Sequence, residues 1–189
     1  MKTNRLSIVK KSLSSLALAT SAALACSACF VGSVSAQQPT PAPALASAPA
    51  AAPAPYGQAI TLEQAKKMMV AAEAQARANN WNVAIAIVDS ASQLVAFHKV
   101  DNTQHGSVVI SQGKATTAVN FRRPTKAFED TVAGGGAGLR TLAIPGVFPL
   151  EGGLPIIVDG KIIGGIGVSG VLSSQDAQVA KAGIDALAK

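Results

Sequence analysis

Lys114, Thr117 and Phe121 recur at i, i+3 and i+7, so on a helix they share one face with Ile110. Arg122 and Arg123 follow directly. An ammonium, a hydroxyl, an aromatic ring and a guanidinium together suit a ligand that carries carboxylates, such as a small hydroxy acid or a larger planar molecule. The bland alternative is that Lys114 lays its stem along apolar surface, Thr117 packs against a neighbour, and the arginines are a solvated helix end. Two histidines, His98 and His105, flank one loop and are the candidate metal ligands; the alternative is two ordinary loop histidines. Asp101 lies between them, at a strand end where an acid often only forms a turn.

A second pattern is Gly165-Ile-Gly167-Val-Ser-Gly170, which spells G-x-G-x-x-G. A dinucleotide site needs those glycines at a strand-to-helix turn, with an acid about twenty residues later. Here they fall inside a strand, and the chain ends nineteen residues after Gly170. Nucleotide binding is therefore not expected. Glycines within a strand mark a bulge or a close approach to the backbone. Gly153 and Gly167 are thus candidate contacts for a ligand or for a packed helix, and the residues alone do not choose. Ser169 lacks the strand–turn–helix context of a nucleophile elbow. No Ser-His-Asp order or paired-carboxylate motif stands out, and Glu151 at the mouth of the second hairpin has no partner acid.

The elements that must position these residues are legible from patterning. Thr61 with Gln64 is a capping box, with Ile60 stapling onto Ala65, and Leu62, Ala65, Met68, Ala72 and Ala76 follow at helical spacing to about Ala78. Val83–Val88 and Leu94–Lys99, joined by the turn-forming Asp89-Ser-Ala-Ser-Gln93, predict a hairpin. The first of these strands is apolar on both faces and belongs in a covered, central position. A helix is expected from Ser107 to Phe121, then a shorter one capped by Thr125 and stopped at Gly134–Gly136. Leu139–Ile144 reads as a loop or short strand. Leu154–Val158 and Lys161–Ser169 around Asp159-Gly160 predict a second hairpin. Ser173 with Asp176 would cap a last helix whose inner face carries Val179, Ala180, Gly183, Ile184 and Leu187. The expected class is α+β: an antiparallel sheet of about five strands, built from two hairpins and flanked by helices.

The first sixty of the 189 residues are of another kind. Lys2, Arg5, Lys10 and Lys11 precede a mildly apolar run that ends in Val34-Ser-Ala36, the layout of an export signal over residues 1–36. Ala23-Leu-Ala-Cys26 loosely resembles a lipoprotein box, a minor alternative. Residues 37–59 hold six of the ten prolines and read as a linker. The domain is then residues 60–189. Cleavage after Ala36 would remove both cysteines, Cys26 and Cys29, and with them any disulfide or thiol nucleophile. It would also remove four basic residues, leaving twelve against ten acids, a net charge of +2 in place of the formal +6. That balance argues against a nucleic-acid partner. No membrane span is expected after cleavage.

"KATTAVNFRRPT" from Lys114, "PGVFPLEGGLPIIVDGKIIGGIGVSG" from Pro145 and "DAQVAKAGIDAL" from Asp176 resemble the HbpS/GlcG-like family of heme-binding and heme-degrading proteins. The resemblance covers the domain from Ile60 to Leu187. It implies a five-stranded antiparallel sheet flanked by helices, an exported homo-oligomer, and heme as the ligand, whether or not heme is also degraded. It supports the Lys-Ala-x-Thr-Ala helix, with a Thr near the iron in heme-binding members. Asp101 matches an Asp of the family pattern, with Lys99 where Arg-Met is usual. His98 stands where members often have no histidine. Other members are linked to glycolate or diol metabolism, which implies a small hydroxy acid or an accessory role instead. A ligand-free structural oligomer is the third alternative.

Overall fold

A computed structural model describes residues 52–188; the predicted export signal, Cys26 and most of the predicted linker lie outside the described residues. Helix α1 (Leu62–Ala78) opens on the expected box: the Thr61 hydroxyl accepts from the Gln64 N–H, and the Gln64 side chain accepts from the Thr61 N–H. Ala65, Met68, Met69, Ala72 and Ala76 face the core, but Leu62, in the first turn, is exposed. Strands β1 (Ala84–Asp89) and β2 (Leu94–Lys99) form the first hairpin. Its turn is held by the Asp89 carboxylate, which accepts from the N–H groups of Ala91 and Gln93 at 2.8 Å each.

Helices α2 (Gly106–Asn120) and α3 (Lys126–Ala133) follow. Residues Gly136–Ala143 then form a 3₁₀ segment, which replaces the expected loop or short strand at Leu139–Ile144. Gly135 and Gly136, both at positive φ, start it by turning the chain too tightly for a strand. The second hairpin, β3 (Gly153–Val158) and β4 (Lys161–Ser169), turns at Asp159 and Gly160 with φ of 49° and 72°. Two successive positive φ values are the type I′ geometry that matches strand twist. Helix α4 (Ser173–Asp185) ends the chain's regular structure.

The sheet is antiparallel with order β2-β1-β4-β3, so the apolar β1 is central as expected. It has four strands among the described residues, against about five expected. At the end of β4 that β1 does not reach, residues 55–57 take the vacant place: Ile162 donates to Pro55, and Gly57 donates to Ile162, both at 2.8 Å.

Helices α1 and α4 cover one face of the sheet, and α2 covers the other. Strand alternation divides the core accordingly. Ile85, Ile87, Ile166 and Val168 join Met68, Met69 and Val179 on one side; Ala86 and Val88 meet Ala115 and Val119 on the other. None of the described helices is long and apolar enough to cross a membrane.

Candidate functional site

The α2 face is where the sequence places Lys114, Thr117, Phe121 and Arg122. Small residues bring α2 unusually near the sheet. A Cβ on Gly167 would stand 2.0 Å from the Ser111 carbonyl oxygen and 2.4 Å from the Ala115 nitrogen. One on Gly165 would stand 2.7 Å from the Ala115 oxygen, and one on Gly153 2.4 Å from that of Lys114. The glycine run of β4 is thus a bed for a helix backbone, and the neighbour left open by the sequence is α2.

That close approach buries Lys114. Its side chain and that of Asp176 are each only 2% exposed. The ammonium donates to Asp176 Oδ2 and to the Val168 carbonyl, both at 2.9 Å. The other carboxylate oxygen accepts from the Val171 N–H at 3.2 Å. Burial pushes the Asp176 carboxyl above the usual aspartate range, against the pull of Lys114 and of the Val171 and Gly170 N–H groups. Gly152, at φ 118°, keeps the pocket closed: a Cβ there would lie 2.8 Å from that of Asp176 and 3.0 Å from the ammonium. Lys114 therefore ties α2 to the end of β4 and the start of α4.

Asp176 does not cap α4 with Ser173, as the sequence suggests. Leu172 is the N-cap, and its N–H donates to Gln175 Oε1 at 3.2 Å. The capping pattern hid a buried counter-ion. Thr125 departs in the same way. It makes no side-chain cap for α3; its hydroxyl accepts from the Gly153 N–H at 2.9 Å and closes the mouth of β3.

Thr117 is also committed to the fold. It accepts from the Phe148 N–H at 3.0 Å and donates to the Gly146 carbonyl at 3.3 Å. The Phe148 ring fills the notch left by Gly113, where a Cβ would lie 2.2 Å from it. Phe121 packs edge-to-face on Phe128, with centroids 5.1 Å apart. Arg122, at φ 52°, lies over the Tyr56 ring at 5.6 Å, and Arg123 over Phe128 at 5.5 Å. These residues are brought together, but Lys114 and Thr117 offer no free group to a ligand.

His98 and Asp101 lie at the β2 edge of the sheet. Alternation in β2 sends His98 toward α1, where its Nδ1 lies 2.9 Å from Glu73 Oε2. Glu73 Oε1 in turn accepts from Arg77 Nε at 2.8 Å. The bonds from His98 and Arg77 hold the Glu73 carboxyl below the usual glutamate range. Glu73, Arg77, His98, Lys99 and Asp101 line an open depression of about 270 Å³. His105 stands apart in role: it is the N-cap of α2 and its side chain makes no capping bond. No cluster of three or more metal-ligating side chains occurs among the described residues.

Glu73 and Arg77 were not singled out from the sequence. Their only signal is the i, i+4 acid–base spacing on α1, common to solvated helix faces.

This three-layered α+β fold, with a helix seated on a glycine strand, is that of the HbpS-like class of proteins. Residues 60–185 match the family described as "Haem degrading protein HbpS-like", and the chain belongs to it. It is 42% identical to Protein GlcG of Escherichia coli K12 over 110 residues, 58% of this chain and 81% of that one. A crystal structure of a Streptomyces reticuli HbpS double mutant superposes with a TM-score of 0.64 at 30% identity, covering 79% of this chain and 99% of that one. A PduOC:heme complex superposes at 0.62 with 28% identity, covering 68% and 94%.

Proposed function

We propose that this is an exported heme-binding protein that captures or buffers heme as an assembly of several copies. The observation that carries the reading is the match to a heme complex over 94% of that chain, within a family described as heme-degrading. The N-terminal signal pattern supports export, which predicts a mature N-terminus at Gln37 by mass spectrometry.

The α1–β2 edge fits the heme better than the α2 face does. It offers an imidazole held by a carboxylate, with Arg77 and Lys99 beside it as partners for propionates. Iron in a bound heme supplies ligand and redox chemistry; this chain's residues would hold its edge. A depression of about 270 Å³ falls below the usual range for ligand sites and would cover an edge of the macrocycle only. A second copy of the chain closing over the exposed part accounts for the assembly.

Titrating hemin into the purified protein tests the reading. A saturable Soret shift at micromolar heme is expected, and its absence sinks the proposal. The small volume and the two cations also favour a second reading, a small hydroxy acid bound at the same edge. Thermal-shift measurements with such acids separate the two, since only that reading predicts a rise in Tm without heme.

A further inference from the structure

We infer that two copies of the chain join through the outer edge of β2, antiparallel across a two-fold axis, so that their four-stranded sheets become one. This deepens the assembly part of the reading above and is independent of the heme. Val100 donates to the Val83 carbonyl at 3.0 Å, and the pairs Ile85–His98 and Ile87–Ala96 continue that ladder. Alternation therefore turns the N–H and C=O groups of Phe97 and Lys99 away from β1. β2 is the outermost strand, and no hydrogen bond among the described residues engages those groups. An unpaired strand edge is a template for a further strand, and folds that do not use one guard it.

This fold guards its other edge. Gly153, at the start of β3, donates to the Thr125 hydroxyl and accepts from the Thr125 N–H, both at 2.9 Å. Pro155 in the same strand has no N–H to offer. A contact of β2 with β3 of another copy, which would run on as a filament, is thus obstructed; β2 against β2 closes after two copies. The β1–β2 register skips Val95, so the regular ladder facing outward is Phe97 to Lys99. A two-fold axis at His98 sets Phe97 opposite Lys99 of the second copy, and both residues then pair their backbone groups. Each His98 meets the axis beside its own Glu73 carboxylate. The same axis sets the two α1 helices side by side, because α1 lies over β1 and β2. Val70, Glu73 and Arg77 share one stripe of α1 at i, i+3 and i+7, and the contact of Glu73 with His98 places that stripe on the β2 flank. Val70 is 69% exposed and would be shielded there. Antiparallel helices also turn Glu73 of each copy toward Arg77 of the other, a complementary pairing of charges.

Sedimentation equilibrium and amide hydrogen exchange on the purified protein test this, with wild type, K99P and L142K. Expected for wild type is an even-numbered assembly at micromolar concentration. Its Phe97 and Lys99 amides should exchange at least about tenfold more slowly there than on dilution, as hydrogen-bonded amides do. K99P removes an outward donor, which a lone edge strand tolerates, so its circular dichroism should match wild type. Its association should weaken at least about tenfold through the lost backbone bonds. L142K, on the exposed 3₁₀ segment, should assemble as wild type does. A wild type that stays monomeric overturns the inference, as does an assembly whose Phe97 and Lys99 amides exchange freely. Protection of those amides in a monomer overturns it too, since the chain would then cover its own edge. If K99P fails to fold, the wild-type exchange still decides. An assembly with these amides protected but no Soret shift on adding hemin supports the inference and overturns the heme reading alone.

Discussion

The seam between α2 and β4 and the edge between α1 and β2 each hold an acid–base pair, and the two pairs behave oppositely. Lys114–Asp176 is sealed, each side chain 2% exposed, and burial drives the carboxyl up despite the adjacent ammonium. Glu73–His98 is open to water on the histidine side, and its hydrogen bonds draw the carboxyl down. In the first region desolvation wins; in the second, pairing wins. Residue types that look like a binding site from the sequence are consumed by packing at the seam. At the edge, His98, which the sequence offers as a metal ligand or an ordinary loop histidine, stays half exposed beside Glu73.

The linkage signs follow. Asp176 holds its proton to higher pH folded than unfolded, so its share of stability is full in acid and is lost as pH rises through the folded value. Glu73 is the reverse: its share is present above the unfolded value and is lost as pH falls through the folded one.

The contrast can be broken at either end. Lys114→Met should be the costliest change, about 3–5 kcal/mol at neutral pH, because it strands a buried carboxylate. Its deficit in urea unfolding should shrink as pH falls and Asp176 takes up a proton; a deficit independent of pH would mean that water reaches the pair. Gly167→Ala comes next, at about 1–3 kcal/mol or somewhat more, since its Cβ meets α2 backbone that cannot swing aside. An unchanged midpoint would show that α2 does not rest on β4 there.

Replacing both members of the buried pair, Lys114→Met with Asp176→Leu, should bring stability back to within about 1–2 kcal/mol of wild type, since apolar groups of similar volume need no counter-charge. A double variant as poor as the single one would show that the pair's geometry, not its charge balance, matters. At the edge, Glu73→Gln should lower stability by no more than about 1 kcal/mol, an effect that salt reduces and acid abolishes. A larger loss would make that pair structural and remove the distinction between the regions.

Most secondary structure was legible because its determinants are local. The Thr61/Gln64 box, the Asp89 turn and Asp159-Gly160 each act within a few residues. At a few positions a locally plausible role is overridden by a distant one. Asp176 reads as half of a cap with Ser173 and Thr125 as a cap of α3, yet each serves a partner across the fold, Lys114 and Gly153. Leu139–Ile144 reads locally as a loop or short strand, while Gly135 and Gly136 dictate the tight 3₁₀ coil. Leu62 fits the helical period but is exposed in the first turn of α1.

By itself, the sequence determined the α+β class, the two hairpins, the central apolar strand and the family marks, because hydrogen-bond periodicity and turn chemistry are written over short distances. Only the tertiary structure decided that β4's glycines serve a helix, that Lys114 answers an aspartate 62 residues away, and that His98 finds Glu73 25 residues before it. Those outcomes depend on which elements lie across the sheet from one another. Nothing in the local pattern of a lysine or a histidine states what will face it after packing.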